Sequence, residues 1–168
     1  MPNEPHVDYL DIVNLYWPDL QDCQDDELIA GVKAWPEEVQ NLYLAYYAWS
    51  AISGGGLVGA LSNGLGRLLP EAVEAFRQIG MPKSARSLSR AVDRIGDKFT
   101  RSLVEMRETI AKDRDLADDL DRIGGEFSDH SWAPSGVPVA EPFHTSMNEY
   151  ACRGAAIRLY RLRLANQG

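Results

Sequence analysis

The sequence predicts an all-α protein, and three observations lead to this class. Apolar residues recur at helical spacing along most of the chain, no stretch alternates as a β-strand would, and glycines and prolines separate segments of helical length. With 168 residues and 45% hydrophobic side chains, the chain is long enough to bury one substantial core. We therefore expect one compact helical domain of about seven helices over residues 1–168.

Apolar spacing and prolines define the first three predicted helices. The first covers 7–17 and ends at Pro18, and the second covers 26–35. The third covers 36–52, where a proline and two glutamates form a favourable first turn. Its apolar and aromatic side chains surround most of its circumference, which is typical of a buried, central helix.

A glycine-rich segment follows this central helix. Gly54, Gly55 and Gly56 each disfavour a helix by about 1 kcal/mol relative to alanine. We therefore expect the helix to break there in a tight corner, with Leu57 turned into the core and Asn63 near the next break. The predicted role of this corner is structural.

Four more helices are predicted in the remainder of the chain, with ends marked by proline or glycine. They cover residues 70–79, 83–112, 115–127 and 145–166. Gly96 is expected to kink the second of these helices, and Gly124 and Gly125 to stop the third. The segment 128–142 contains three prolines and a glycine, so it is expected to be irregular.

The net charge of −8 is distributed unevenly along the chain. Residues 1–50 carry ten carboxylates against Lys33 alone, a net charge of −9, and residues 113–129 carry a net charge of −5. Residues 51–112 carry a net charge of +4. Two acidic regions of this size repel nucleic acid and attract basic partners, so we expect a protein partner and no direct nucleic-acid binding.

Apolar runs, the N-terminal residues and the cysteines together predict where in the cell the protein is found. No apolar run approaches the roughly 18 residues needed to span a bilayer, and the first ten residues are too polar for a signal peptide. The chain has two cysteines, Cys23 and Cys152, and neither lies in a metal-type motif. These features predict a cytoplasmic protein with no membrane association, in which both thiols are reduced. The alternative is a single Cys23–Cys152 disulfide.

Two acidic groups are the candidate partner-binding residues. They are Asp22, Asp25, Asp26 and Glu27 near the N-terminus, and Asp115, Asp118, Asp119 and Asp121 in the predicted helix 115–127. Asp115 and Asp119 lie one helical turn apart, as an acidic contact surface or a divalent-metal site requires. A single helix supplies few ligands, so we expect neither a metal nor a cofactor. The alternative is a solvated face in which Asp118 pairs with Arg122.

Three further features of the sequence are candidate sites. His130, His144 and Cys152 suggest a hydrolase that uses residues 128–152, but no nucleophile or metalloprotease motif accompanies them. Trp132 lies between polar residues and is a candidate anchor for a partner or a second subunit. Four arginines on the predicted helix 83–112 are expected either to meet an acidic patch of another protomer or to balance the N-terminal charge. They are Arg86, Arg90, Arg94 and Arg101.

Residues 38–96 also resemble a family of bacterial all-helical proteins whose characterised namesake is a DNA mimic. The resemblance rests on an aromatic-rich helix, a glycine pair, a closing asparagine and a helix that ends in Ile-Gly. The residues are Tyr46, Tyr47, Trp49, Gly55, Gly56, Leu57 at the family's phenylalanine position, Asn63, Ile79 and Gly80. Gly54 and Gly59 replace the asparagine and the glutamine of the usual family pattern.

The resemblance implies an acidic protein-binding module, without catalytic activity, that engages a basic DNA-binding transcription regulator. It also implies a homodimer. The first alternative is an immunity or antitoxin-like inhibitor of another protein, whose binding would be indifferent to DNA. The second alternative is the hydrolase that uses residues 128–152.

Overall fold

Nine α-helices make up most of the part of the chain that a computed structural model describes, which comprises residues 7–20, 26–132, 138–139, 141–153 and 155–166. They are α1 (Tyr9–Tyr16), α2 (Asp26–Lys33), α3 (Glu37–Ser62), α4 (Leu65–Gln78), α5 (Pro82–Ile95), α6 (Leu103–Lys112), α7 (Arg114–Ser131), α8 (Phe143–Arg153) and α9 (Ala156–Ala165). Short 3-10 turns cover Trp17–Leu20 and Gly96–Lys98. These residues contain no strand, so the all-α prediction is confirmed, although the helices outnumber the predicted seven.

Helices α3, α4, α5 and α7 form a closed ring in which each packs against the next and α7 packs back against α3. Helix α6 contacts α3, α4 and α7, whereas α1 and α8 pack beside α3 and α9 packs on α1 and α8. Buried side chains from α1 to α9 join in one hydrophobic core. None of the helices in the described residues is both long and apolar enough to cross a bilayer.

Helix α3 is central, as predicted, but it is longer than the predicted range 36–52. Gly54 and Gly55 keep helical backbone angles, and only Gly56 departs from them, with φ 66° and ψ 177°. One glycine is therefore enough to redirect the helix, and Leu57 and Leu61 beyond it are fully buried. Asn63 caps the end of α3, as expected.

Helix α4 begins at Leu65 and not at the predicted Pro70. Gly64, with φ 120°, separates it from α3, and Pro70 lies inside the helix. A proline within a helix costs about 3 kcal/mol or more, because it removes one hydrogen bond and crowds the preceding turn. Burying Leu65, Leu68 and Leu69, each at most 1% exposed, contributes about 1.5–3 kcal/mol apiece and outweighs this cost.

The predicted helix 83–112 is two helices, α5 and α6. Gly96 adopts φ 56° at the end of α5, and a 3-10 turn follows. A glycine with positive φ is a common helix end, which explains why the chain stops here instead of kinking. Helix α6 starts again at Leu103, where Ser102 accepts a hydrogen bond from the Glu105 amide.

Helix α7 continues through the two glycines that were expected to stop it. A Cβ atom on Gly124 would lie 2.9 Å from the Leu57 Cβ atom, whereas one on Gly125 would meet nothing within 4 Å. Gly124 is therefore required for close approach of α7 to α3, and not for a helix end. The predicted range 115–127 was consequently too short by four residues at its C-terminus.

The C-terminal prediction was also partly wrong. One helix was expected over 145–166, but α8 and α9 divide this region, and Gly154 stands between them in the sequence. Of the predicted irregular segment 128–142, residues 128–131 belong to α7, and residues 133–137 and 140 lie outside the described residues. The other residues of this segment are not helical.

Aromatic and polar contacts join α1 and α8 to α3. The ring of Trp49 stacks on that of Phe143, with centroids 4.6 Å apart. The Tyr9 amide donates to Asn148 Oδ1 at 3.0 Å, and Asn41 Nδ2 donates to the Tyr150 hydroxyl at 2.9 Å. These contacts fix the two outer helices against the central one.

Candidate protein-binding surface

The N-terminal acidic group lies largely outside the described residues. Asp22 and Asp25 belong to that part of the chain, and Asp26 begins α2 without a described side chain. Glu27 is exposed in the first turn of α2. The role of this group in partner binding stays a prediction.

The second acidic group lies on α7, and α7 is held on two sides. Its apolar face, formed by Leu116, Leu120, Ile123 and Phe127, is buried in the core. One flank packs on α5, and the other packs on the kink of α3. The carboxylates on its outer side are therefore carried by a helix whose position is fixed by two neighbours.

Ion pairs connect the α5 flank of α7 to α5. Asp119 Oδ2 accepts from Arg94 Nε at 2.6 Å, and its Oδ1 accepts from Arg122 at 3.0 Å. Arg122 also binds Glu126 at 3.2 Å, and Arg90 pairs with the same glutamate. The hydrogen bonds from Arg94 and then Arg122 hold the pKa of Asp119 below its usual value. Asp119 is thus largely neutralised and is a weak candidate for a partner contact.

The charge of Asp113, the residue before α7, is also neutralised. Asp113 caps the helix, since its side chain accepts from the Leu116 amide, and it pairs with Lys98 at 2.6 Å. The hydrogen bond from Lys98, followed by that from the Leu116 amide, lowers the pKa of Asp113. The Asp113 carboxylate therefore caps the N-terminus of α7.

Of the four predicted α7 carboxylates, the other three are exposed on the solvent side, at Asp115, Asp118 and Asp121, and we call them the α7 acidic face. Asp129, nearer the end of α7, is also exposed. Their three-residue spacing places them along one side of the helix, about 4.5 Å apart in axial rise. Among the described residues, Asp115 and Asp121 have no ion pair. Asp118 lies 4.0 Å from Arg114 with both side chains exposed, a contact of little energetic weight. The predicted pair between Asp118 and Arg122 is wrong.

The α7 acidic face borders the glycine segment of α3. A Cβ atom on Gly56 would lie 3.9 Å from Asp121 Oδ1. Gly54, Gly55 and Gly125 are exposed, and a Cβ atom on any of them would meet nothing within 4 Å. The backbone beside Asp121 is therefore open to close approach by another molecule.

The four arginines predicted to share one helix are divided between α5 and the segment after it. Arg86, Arg90 and Arg94 lie on α5, whereas Arg101 lies beyond it and pairs with Glu71 of α4 at 2.7 Å. Arg90 and Arg94 bind α7, so they balance its charge within the chain and not that of residues 1–50. Trp132 is 53% exposed, as its sequence neighbours suggested.

The proposed catalytic residues do not come together. His144 Nδ1 is hydrogen-bonded to the Tyr9 hydroxyl at 2.7 Å. The hydroxyl of Ser131, the residue after His130, donates to the Phe127 carbonyl. Cys152 is exposed on α8, two turns from His144 and about 12 Å along the helix axis. Within the described ranges, neither His130 nor His144 is hydrogen-bonded to a serine or cysteine side chain, and no three His, Cys, Asp or Glu side chains group as metal ligands would.

One acidic residue that the sequence did not single out is Glu141. It is buried, and its carboxylate accepts from the amides of Lys83 and Ser84 at 2.6 and 2.8 Å and from the Ser84 hydroxyl at 2.9 Å. It therefore caps the N-terminus of α5 from a distant segment. The only signal for Glu141 in the sequence is that it is an acidic residue in a proline-rich segment.

Comparison with known proteins gives a family match for the segment that contains this surface. No curated protein and no solved structure matches the chain. Residues 33–139 match the sequence pattern of the DMP19-like protein family, and this range includes α3 to α7 and the α7 acidic face. Because the match covers more than half of the chain, the protein belongs to the DMP19-like protein family.

Proposed function

We propose that this protein is an acidic protein-binding module that resembles a DNA mimic and engages a basic DNA-binding transcription regulator. The observation that carries the proposal is the α7 acidic face. It lies inside the segment that matches the DMP19-like family, a family named for a DNA mimic, and its carboxylates are exposed. In this proposal the chain is a single domain, and the α7 acidic face is the surface that contacts the partner.

The spacing of these carboxylates supports the proposal. Asp115, Asp118 and Asp121 offer one charge per about 4.5 Å along α7. One strand of duplex DNA offers one phosphate per about 3.4 Å of helix axis. Lysines and arginines placed for a phosphate backbone would therefore meet a charge density of the same order.

The rigidity of α7 also supports the proposal. A DNA-binding protein presents its basic side chains in a fixed arrangement, so a mimic gains affinity when its charges need no ordering on binding. The contacts of α7 with α3 and α5 hold its carboxylates in such a fixed arrangement.

The N-terminal group, Asp22, Asp25, Asp26 and Glu27, lies outside the family match and is proposed as a second acidic face.

We also propose that the protein acts as a homodimer, with the exposed ring of Trp132 as a contact. Light scattering at several protein concentrations tests this part separately. The expected result is a dimer that a Trp132→Ala variant converts to a monomer. A monomer at all concentrations would remove the homodimer from the proposal and leave partner binding unaffected.

The experiment for the main proposal is capture of partners from a lysate of the native host, washed with salt or with competing duplex DNA. The expected partner is a basic DNA-binding protein that both washes release. A partner released by neither duplex nor salt would favour an immunity or antitoxin-like inhibitor. No partner at low salt would contradict partner binding by either acidic face.

A further inference from the structure

A basic cleft lies between α5 and α7, on a chain whose net charge is −8. Its volume is about 310 Å³, and its lining residues are Lys83, Arg86, Ser87, Arg90, Glu126 and His130. Three of these six side chains are permanent cations, and one is a carboxylate. Positive charge concentrated in a cleft, on a protein that is otherwise acidic, marks this place as a candidate anion site.

Helix periodicity assembles the cationic wall of the cleft. Lys83, Arg86, Ser87 and Arg90 follow one another at positions i, i+3, i+4 and i+7 of α5, so they lie along one side of it. Glu126 and His130 stand one turn apart on α7 and form the facing wall. Because α5 and α7 pack against each other in the ring, the two walls are held at a fixed separation.

The single carboxylate of the cleft does not neutralise it. Glu126 pairs with Arg90 and is one carboxylate against the three cations of the lining, so the lining residues keep a net positive charge. Lys83 and Arg86 have no ion pair in the part of the chain that the structure describes. Within the described residues, the cleft therefore has two cationic side chains that are not engaged in an ion pair.

The N-terminus of α5, at one end of the cleft, is capped from within the chain. The Glu141 carboxylate is buried and takes hydrogen bonds from the Lys83 amide, the Ser84 amide and the Ser84 hydroxyl. The helix N-terminus is thus already occupied by a carboxylate. What remains for a ligand is the row of side chains that begins at Lys83 and continues away from Glu141 along α5.

We propose that this cleft binds a phosphate group, either inorganic phosphate or the phosphate of a small monoester. Two guanidinium groups one turn apart, an ammonium group and a hydroxyl line one wall of the cleft. A phosphate dianion, with its higher charge and three acceptor oxygens, can bind more of these donors at once than a carboxylate can. A volume near the lower limit of small-molecule sites, about 300 Å³, leaves room for a small organic group only. This proposal is independent of partner binding by the acidic faces.

Isothermal titration calorimetry on the full chain tests the proposal, with inorganic phosphate and glycerol 3-phosphate as separate probes in chloride buffer. The expected result is saturable binding that weakens about tenfold or more in Arg86→Gln and in Lys83→Gln. Lys83→Gln keeps the backbone amide that binds Glu141, so its fold is expected to persist. Arg158→Gln, which removes an exposed arginine on α9, is the matched control and should bind as the wild type does.

The outcomes separate clearly. Binding of both probes supports a phosphate site open to small monoesters, and binding of inorganic phosphate alone supports a site for the free anion. Absence of saturable heat with either probe would overturn the proposal. Equal weakening in Arg158→Gln would also overturn it, because the heat would then report net charge and not the cleft.

Discussion

Gly124 of α7 lies so close to Leu57 of α3 that a Cβ atom on the glycine would come within 2.9 Å of the Leu57 Cβ atom and 3.1 Å of its backbone nitrogen. Leu57 is the first residue after the kink at Gly56 and is fully buried. The contact therefore fixes the helix that carries the acidic face against the redirected end of the central helix. The position of the α7 acidic face therefore depends on this packing.

Replacing Gly124 with alanine is expected to destabilise the protein. The added methyl group would press on a backbone atom and a Cβ atom, neither of which is the end of a flexible side chain, so overpacking of about 1–3 kcal/mol exceeds the gain of about 1 kcal/mol in helix propensity. Gly125→Ala is the matched control and should stabilise by about 0.5–1 kcal/mol, since its methyl group meets open space. Urea denaturation measures both values. Stabilisation by Gly124→Ala would show that the close approach is not required.

Replacing Gly56 with alanine is expected to destabilise the protein by about 1–3 kcal/mol, because its backbone angles lie in a region that only glycine occupies readily. Gly55→Ala, at a helical and exposed position, should instead be stabilising by about 0.5–1 kcal/mol. Thermal and urea unfolding of the two variants provide the comparison. Equal effects from both substitutions would mean that α3 does not need its kink at Gly56.

The ion pairs of Asp119 predict a specific dependence of stability on pH. Its pKa in the folded state is lowered by Arg94 and Arg122, so the stabilisation is complete above the unfolded value, near pH 4, and is lost as the pH falls through the lower folded value. When the pH is lowered from about 5 to about 2, the free energy of unfolding of Asp119→Asn should therefore fall less than that of the wild type. Asp115→Asn, at a carboxylate with no ion pair among the described residues, is the control. A wild-type profile in Asp119→Asn would refute the assigned pairing.

Glu141 is expected to contribute more to stability than an ordinary surface glutamate. Glu141→Ala leaves two amides and a hydroxyl at the N-terminus of α5 without their acceptor, at a cost of about 1–3 kcal/mol. Glu149→Ala, which removes an exposed pair with Arg153 on α8, should change stability by about 0.5 kcal/mol or less. Unfolding free energies measured side by side check this. Equal losses would argue against the Glu141 cap.

The helical class and the inward residues could be predicted because both follow from local periodicity. Leu57, Leu61 and the apolar residues of α3 reveal their burial through spacing alone. The meaning of single glycines could not be predicted in the same way. A glycine that ends a helix, as Gly96 does, and one that allows close approach, as Gly124 does, look alike in sequence. Only the neighbouring helix distinguishes them.

The composition of the acidic face was only partly predictable for a related reason. The sequence shows which residues carry charge, but partners such as Arg94 and Asp119 are 25 residues apart and meet only through the packing of α5 on α7. Local spacing suggested Asp118 and Arg122 instead. Of the four predicted α7 carboxylates, Asp119 is consequently paired, and the other three form the exposed face.

The most direct test of the central claim is the affinity of the captured partner for a variant in which Asp115, Asp118 and Asp121 are replaced with asparagine. We expect a loss of about tenfold or more, together with a weaker dependence on salt, because fewer charge contacts form. The control variant replaces Glu74, Glu108 and Glu149 with glutamine, which removes the same charge from other helices, and should bind as the wild type does. If the two variants bind with equal affinity, the α7 acidic face is not the surface that the partner recognises.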